Sequence, residues 1–364
     1  MDTRADSPSP PLSLRALIER YVPGADAPLP GSGRTLQRWQ LLGRVAHAHG
    51  AVAVKLFESH LDALAILAEL AAARPAVSTR WAVWAAEPPF ATVEAEDGED
   101  IDDEVVDALR RDAGLAATRT AKPDALGDRA RVATQATPVR LSGRKAWCSG
   151  AREVTHALMT CRDTGGARRL AIVPIERSPG IEITDEGWTA VGMARTQSGD
   201  VLFHDAPALL LGDADAYLHR PGFWQGGAGI AACWYGAVLP FADALRASLN
   251  RRADPHASAH LGSIDGQLRA AAALLRETAA WIDAHPTGDA MAHALRARTV
   301  VEAAVAHTMH HAGNALGAGP LCRDARLAAL HADLPVFVRQ SHAERDLAAL
   351  GSQLAADRIT EWAL

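Results

Sequence analysis

The chain has 364 residues and a formal net charge of −6, with 37 lysines and arginines against 43 aspartates and glutamates. Charges of both signs are interspersed, so no basic face predicts a nucleic-acid partner. The N-terminal stretch MDTRADSPSPPLSL lacks the apolar core of a secretory signal, and no apolar run approaches the roughly 18 to 20 residues that span a bilayer. The four cysteines form no CxxC pair. We therefore expect a cytoplasmic protein of two or three structural units, with neither membrane nor nucleic acid as a partner.

Residues 1–33 contain several prolines and few periodic apolar positions, which predicts a loose lead-in. Between residues 34 and 80, apolar residues recur at spacings of three and four and predict an N-terminal helical domain of two helices. The second helix carries Glu58 and His60, which point to different sides of a helix. We interpret His60 as a histidine satisfied at a packing interface rather than as half of a catalytic pair.

Residues 81–210 change to strand formers bounded by turn residues. VRLSGRKAW predicts two strands around a Ser142-Gly143 turn, and VTHALMTC and RRLAIVPI predict a hairpin across RDTGGA. The acidic segment EAEDGEDIDDE, which precedes these strands, is typical of a solvated loop. The zone as a whole predicts a middle, antiparallel, all-β domain.

Residues 221–364 are rich in alanine and leucine and predict a C-terminal four-helix bundle, with helices at 224–250, 259–285, 289–316 and 333–362. The fold class is therefore α+β. His307, His310 and His311 have helical spacing, but no cysteine, nearby aspartate or HExxH motif completes a ligand set, so we predict no metal site.

Four stretches in this order are similar to motifs of the acyl-CoA dehydrogenase family of flavoproteins. WAAEPP resembles the "TEP" turn, GRKAWCSGA resembles "G-x-K-x-W-I-T-N-G", VGMARTQSGDVLFHD resembles the "GM-R" strand, and NALGAGPL resembles the glycine-rich break between the last long helices. The resemblance covers roughly residues 34–364. It implies the family's three-part fold, a flavin cofactor and a homodimer or homotetramer, because cofactor sites in this fold lie at subunit contacts.

The resemblance also implies cofactor-binding residues. Trp147 would lie against the flavin ring, and Ser149 would form a hydrogen bond with its N5 atom. Ala86 takes the place of a threonine whose hydroxyl bonds the flavin in relatives, so that side-chain contact is lost here.

The residues that would hold the dinucleotide part of FAD differ further from the pattern of the family. His256 stands where relatives have an arginine that reaches the cofactor of a neighbouring subunit, and histidine offers no bidentate fork to a phosphate. Asn314, Gly317 and Gly319 lie where relatives line that dinucleotide, although an ordinary helix end needs glycine equally. FAD is the expected cofactor, with FMN, or a flavin borrowed from a reductase, as the alternative.

The catalytic glutamate of many relatives is missing. Its place in VFVRQSHAERDLAAL falls on Ser341, and His342 follows. A monooxygenase branch of the same fold, related to dibenzothiophene monooxygenase, has a histidine here, and Asp346 would orient His342 from position i+4 of a helix.

Three functions follow from the resemblance. The first is an acyl-CoA dehydrogenase-like oxidoreductase without the usual base, acting on an acyl thioester or another small molecule. The second is a flavin-dependent monooxygenase that uses reduced flavin, supplied by a flavin reductase, with His342 as acid or base. The third is a binding or scaffold protein without catalysis.

Overall fold

The computed structural model describes residues 12–115, 136–176 and 178–356. The helices before and within the sheet region are α1 (Leu14–Tyr21), α2 (Thr35–Ala71) and α3 (Asp103–Ala113). The helices after the sheet are α4 (Ala216–His219), α5 (Gly222–Arg251), α6 (Pro255–Ala284), α7 (Met291–Leu316), α8 (Gly319–Arg323), α9 (Ala325–Phe337) and α10 (Glu344–Ala356). The strands are β1 (Trp81–Trp84), β2 (Val93–Asp97), β3 (Thr137–Lys145), β4 (His156–Asp163), β5 (Arg168–Pro174), β6 (Ile181–Ile183) and β7 (Val201–Leu211).

Five strands close into a barrel-like ring. β4 pairs with β5, β5 with β7, β7 with β3, β3 with β2, and β2 with β4 again, while β1 and β6 flank the ring on β4 and β7. Side chains alternate along these strands. Ala171 and Val173 of β5 point into the core of the ring, whereas Leu170 and Ile172 join the core shared with the helices. This alternation explains why the sheet has one apolar interior and a second apolar face that the helices cover.

The helical part is built around α2, α5, α6 and α7, of which α2 and α7 are the main neighbours of α5. By length and composition α5 could cross a membrane, so the expectation that no such run is present was wrong on those criteria. However, 72% of its apolar window is buried inside the protein, as in a core helix.

The expected loose lead-in contains the ordered helix α1. Ser13 caps it by accepting a hydrogen bond from the Ala16 backbone, and Leu14 and Leu17 are buried. Residues 1–11 of the predicted lead-in lie outside the described residues. α2 is one element in which Gly50, at φ 88 and ψ −178, separates two helical segments.

The middle zone is not all-β and not wholly antiparallel. The predicted acidic loop holds β2 and the start of α3, which Asp102 caps, with acidic residues in its first turn and arginines in its last. β4 pairs in parallel with β1 and with β2. The predicted turn at Ser142-Gly143 is a bulge inside the single strand β3, where a Cβ on Gly143 would lie 2.3 Å from the Thr92 carbonyl.

The helix predicted over 333–362 is broken. α9 ends at Phe337, a 3-10 turn covers Val338–Gln340, and α10 begins at Glu344 with Ala343 in the left-handed region at φ 48. His342 therefore lies in the break between two helices and not on a helix. The residues after 356 lie outside the described part of the chain.

Candidate active site

A cavity of about 630 Å³ lies where α2, the sheet and α5 meet. Its wall comes from α2, β1 and the residues after it, the turn at 147–149, the loop at 188–198, the first half of α5, and the segment 336–346. Five of the residues predicted from the sequence line this cavity: Ala86, Trp147, Ser149, His342 and Asp346. The fold thus brings together residues that are far apart in the chain.

The other predicted residues do not face the cavity. Ser341 is buried behind the wall, where its Oγ accepts a hydrogen bond of 3.1 Å from the Ala343 backbone N–H. This contact stabilises the break, so the structure places Ser341 in a supporting position. His256 begins α6, while Asn314, Gly317 and Gly319 lie at the end of α7 and just beyond it. Within this chain the predicted cofactor residues therefore form two separate groups.

The Trp147 turn projects an aromatic ring at the cavity. Trp147 has a left-handed backbone, at φ 59, and 43% of the residue is exposed. Its ring stands edge-on to Phe90, with centroids 6.0 Å apart. The backbone is left-handed as well at Met193, in the cavity wall, and at Gln197 and Ala343, next to wall residues in the chain. Such backbone strain is held in place where a site needs a particular side-chain direction.

A chain of hydroxyl groups leads from Ser149 into the loop at 193–198. Ser149 Oγ lies 2.7 Å from Ser198 Oγ, which lies 2.6 Å from Thr196 Oγ1, which donates to the Met193 carbonyl at 2.7 Å. A carbonyl oxygen only accepts hydrogen bonds, so the Thr196 hydroxyl donates its single hydrogen to the Met193 carbonyl. Ser198 must then donate to Thr196, and Ser149 must donate to Ser198. Ser149 is left with only acceptor lone pairs for a ligand.

The loop that holds this chain is tied to α9. Asp333 is buried, and its Oδ1 accepts a hydrogen bond of 2.6 Å from the Met193 backbone N–H. Burial raises the pKa of Asp333 above its ordinary value, against the opposing effect of that hydrogen bond. The contact sets the position of the acceptor carbonyl at the end of the hydroxyl chain.

His342 is held by Asp346, although not by the helical spacing expected from the sequence. Asp346 accepts from the His342 backbone N–H at 3.0 Å, and its other oxygen lies 3.3 Å from His342 Nδ1. Arg298 donates to the Gln340 carbonyl and lies 3.9 Å from Asp346. The histidine side chain is 64% exposed. A ring that faces both cavity and solvent can carry protons between them.

α2 supplies a polar stripe that the sequence analysis missed. Lys55, Glu58, Ser59 and Asp62 all line the cavity, at positions i, i+3, i+4 and i+7 of one helix face. Burial, and next the Asp62 carboxylate, raise the pKa of Glu58 to about 7. The signal was a set of polar residues at helical spacing within the mostly apolar second segment of α2, residues 51–71.

His60 lies at a packing interface, as expected, but only its Nδ1 is satisfied, since Nε2 is buried without a hydrogen-bond partner among the described residues. Its Nδ1 accepts a hydrogen bond of 3.2 Å from the Trp81 backbone N–H, which joins α2 to β1. Burial lowers the pKa of His60 to about 4, so the ring is neutral and can accept at neutral pH.

The remaining wall suits a flat, largely apolar ligand. Trp84, Trp188, Phe223, Trp224 and Phe337 line it with aromatic faces. Trp188 Nε1 is buried and has no hydrogen-bond partner among the described residues. A flavin ring needs flat walls, a donor for its carbonyl edge and a partner for N5. The aromatic walls, Trp188 and Ser149 fit these needs.

The described residues contain no group of three or more histidine, cysteine or acidic side chains that could hold a metal ion. His260 and His311 do meet, with their Nδ1 atoms 2.8 Å apart, and His307 bonds Ser263. These contacts join the start of α6 to the end of α7.

No model of a known protein family matches the sequence, and no curated protein matches it. Solved structures do match. A ternary complex of TdsC from Paenibacillus sp. A11-2 with FMN and indole is 17% identical with a TM-score of 0.67, over 88% of this chain and 84% of that one. Methanesulfinate monooxygenase MsuC from Pseudomonas fluorescens is 18% identical with a TM-score of 0.69, over 96% and 89%.

Butyryl-CoA dehydrogenase from Megasphaera elsdenii is 13% identical with a TM-score of 0.69, over 94% of this chain and 87% of that one. At such identities the likeness shows a shared fold. It confirms the fold class that the four sequence motifs implied.

Proposed function

We propose that this chain, which has the fold of the acyl-CoA dehydrogenases, is a flavin-dependent monooxygenase that binds reduced flavin and oxygenates a small planar substrate. The observation that carries the proposal is the direction of the hydroxyl chain, which leaves Ser149 as an acceptor. N5 of reduced flavin carries a hydrogen, whereas N5 of oxidised flavin carries none. An acceptor therefore suits the reduced form.

Reduced flavin supplies two electrons, so that one atom of O₂ enters the substrate and the other leaves as water. The chain's own residues bind and manage protons. Trp147 and the aromatic walls hold flat rings, and Trp188 offers a donor. His342, oriented by Asp346, exchanges protons between the cavity and solvent.

The solved structures support this choice. TdsC is a dibenzothiophene monooxygenase and was crystallised with FMN, and MsuC is a methanesulfinate monooxygenase. His256, in the place of the family's arginine, offers less to a dinucleotide than a guanidinium does. We therefore expect FMN to bind as well as FAD, a separate flavin reductase to supply the reduced form, and copies of the chain to associate through their helices.

The test is an anaerobic titration with oxidised and with reduced FMN, followed by tryptophan fluorescence. Wild-type protein should bind the reduced form about tenfold more tightly, because one added hydrogen bond is worth about that much. Ser149→Ala should abolish the preference, whereas Ser178→Ala, at a half-buried position outside the cavity wall, should keep it. Equal affinity for both forms in the wild type would refute the reduced-flavin proposal.

A dehydrogenase is the second candidate, and Glu58 favours it. A cavity carboxyl with a pKa of about 7 could take the proton that the missing glutamate takes in relatives. Loss of the yellow colour of bound oxidised FAD on adding an acyl-CoA without oxygen would support this function. Failure to bind flavin in either form would instead leave the scaffold function.

A further inference from the structure

Glu58 is a buried acid in the cavity wall that has no hydrogen-bond or ion-pair partner in the described chain. It is only 6% exposed, it lines the cavity, and its carboxylate makes no hydrogen bond or ion pair with the described residues. Asp62, one turn further along α2, differs because it lies 3.6 Å from Arg220, which also bonds Glu69. A buried carboxylate without a partner costs free energy, so this position suits a ligand that supplies a donor.

The charges around Glu58 leave it near its midpoint at neutral pH. Burial has the largest effect and Asp62 adds to it, so the pKa of Glu58 rises to about 7. Three cations lower the pKa of Glu58: Lys55 and Arg38 on α2, and Arg298 on α7. Two further titratable groups face the same carboxyl, Tyr217 on α4 and Cys233 on α5. Glu58 can therefore both accept and release a proton under ordinary conditions.

The ligand that fits is flat and has one polar hydrogen. Phe223 and Trp224 stand edge to face, with centroids 5.2 Å apart, on the same cavity wall as Trp84. Such surfaces hold an aromatic ring by its faces and edges. An aliphatic chain would leave these ring faces unused, and a fully apolar ring would leave Glu58 without a donor.

We propose that Glu58 binds the O–H or N–H group of an aromatic substrate and accepts its proton. The proton passes from the heteroatom of the substrate to a carboxylate oxygen of Glu58. The electron pair left on the heteroatom makes the neighbouring ring carbons more electron-rich, so they react more readily with an electrophilic oxygen donor. The presence of an electrophilic oxygen donor rests on the proposed function. The preference for binding a substrate with a polar hydrogen does not.

The experiment is isothermal titration calorimetry with 2-naphthol and with 2-methoxynaphthalene, in which a methyl group replaces the polar hydrogen. At pH 8 wild-type protein should bind 2-naphthol about tenfold more tightly, because a hydrogen bond to a charged acceptor is strong. At pH 6, where Glu58 is protonated, the preference should fall to a few-fold. Glu58→Gln should remove the pH dependence and most of the preference.

Glu344→Gln is the matched control, because it removes one negative charge from the exposed start of α10 outside the cavity wall. It should keep the wild-type preference. The proposal is overturned if wild-type protein binds both probes equally at pH 8, or if Glu58→Gln keeps the preference. If Glu58→Gln does not fold, the pH dependence of the wild-type preference for 2-naphthol tests the proposal. The preference should rise as pH increases through about 7, and a preference that does not change with pH contradicts the proposal.

Flavin binding is measured separately on wild-type protein. A preference for 2-naphthol without any flavin binding would refute the monooxygenase and leave the role of Glu58 intact. Flavin binding without a preference for 2-naphthol would refute the role of Glu58 alone.

Discussion

Glu58 should weaken the folded state wherever it is ionised. Its pKa is raised from an ordinary 4.5 to about 7, so the folded state binds the proton more tightly than the unfolded state does. Stability from this group is therefore present at low pH and lost as pH rises through about 7. We predict that the wild type loses about 2 kcal/mol of its free energy of unfolding between pH 5 and pH 8 through this group, and that Glu58→Gln does not. The stability of Glu58→Gln relative to wild type is therefore about 2 kcal/mol higher at pH 8 than at pH 5.

Urea unfolding curves at the two pH values measure this difference. Glu344→Gln, at an exposed position, should show little change. A difference between Glu58→Gln and wild type that is the same at both pH values would mean that Glu58 does not titrate in the folded state.

His342 should matter for turnover and not for stability. Its side chain is 64% exposed, and its Nδ1 lies 3.3 Å from Asp346. We predict that His342→Ala lowers turnover about 100-fold, the usual loss for one acid–base group, and leaves the unfolding temperature within about 2 °C. His204, which is 63% exposed in β7, is the matched histidine, and His204→Ala should keep full turnover. Equal turnover in His342→Ala and wild type would remove His342 from the mechanism.

The sequence indicated five cavity-lining residues because they lie in or beside stretches that resemble motifs of the family. It did not indicate the role of Glu58, because the family resemblance directs attention to the C-terminal segment. Glu58 is left without a partner because Arg220 pairs with Asp62 and Arg298 donates to the Gln340 carbonyl. Only the fold brings these residues together, so the sequence does not show it. The position of Ser341 outside the cavity wall was missed for a similar reason, since the break in the helix that buries it is not visible in the local pattern.

At the scale of the elements, Gly50 controls the path of α2. Its φ of 88 and ψ of −178 lie in a region that only glycine adopts readily. The space around it is open, since a built Cβ would lie 3.8 Å from Leu330 Cδ2. We predict that Gly50→Ala destabilises the protein by about 1–3 kcal/mol through backbone strain alone.

Gly43 provides the comparison within the same helix. Its backbone is helical, and a built Cβ would meet only the Ala232 carbonyl, at 3.7 Å. Gly43→Ala should therefore be neutral or stabilising by up to about 1 kcal/mol. Thermal unfolding of both variants checks the pair, and an equal effect of the two substitutions would contradict the strain argument.

The helices after the sheet were largely predictable, since long alanine- and leucine-rich segments have strong periodicity. α1 was missed although Leu14, Leu17, Ile18 and Tyr21 have helical spacing, because prolines precede it and the segment is short. The break at 338–343 was missed because Pro335 is accommodated inside α9, while the chain leaves the helix only later. Arg298 stabilises that break from a distant helix, which no local pattern shows.

At the scale of the whole molecule, we expect the second group of predicted cofactor residues to act on the flavin of a neighbouring copy of the chain. The start of α6 and the end of α7 adjoin, so His256, Asn314 and Gly317 share one end of the helical part. We predict that His256→Ala weakens FAD binding several-fold, because one phosphate contact is lost, and leaves FMN binding unchanged.

Titrations with both flavins measure that difference, and light scattering gives the oligomeric state. An equal loss for FAD and FMN would show that His256 acts through the fold. A monomer that binds FAD with full affinity would contradict the role expected for a partner subunit.

The ring of strands has a consequence for the misfolding of this protein. Because β4, β5, β7, β3 and β2 close on one another, the free edges of the described sheet are those of the flanking strands, the four-residue β1 and the three-residue β6. Short edges offer few unpaired amides and carbonyls to a passing strand. Aggregation of the intact β-domain by strand addition is therefore disfavoured, and a chain that aggregates by this route must first open the ring.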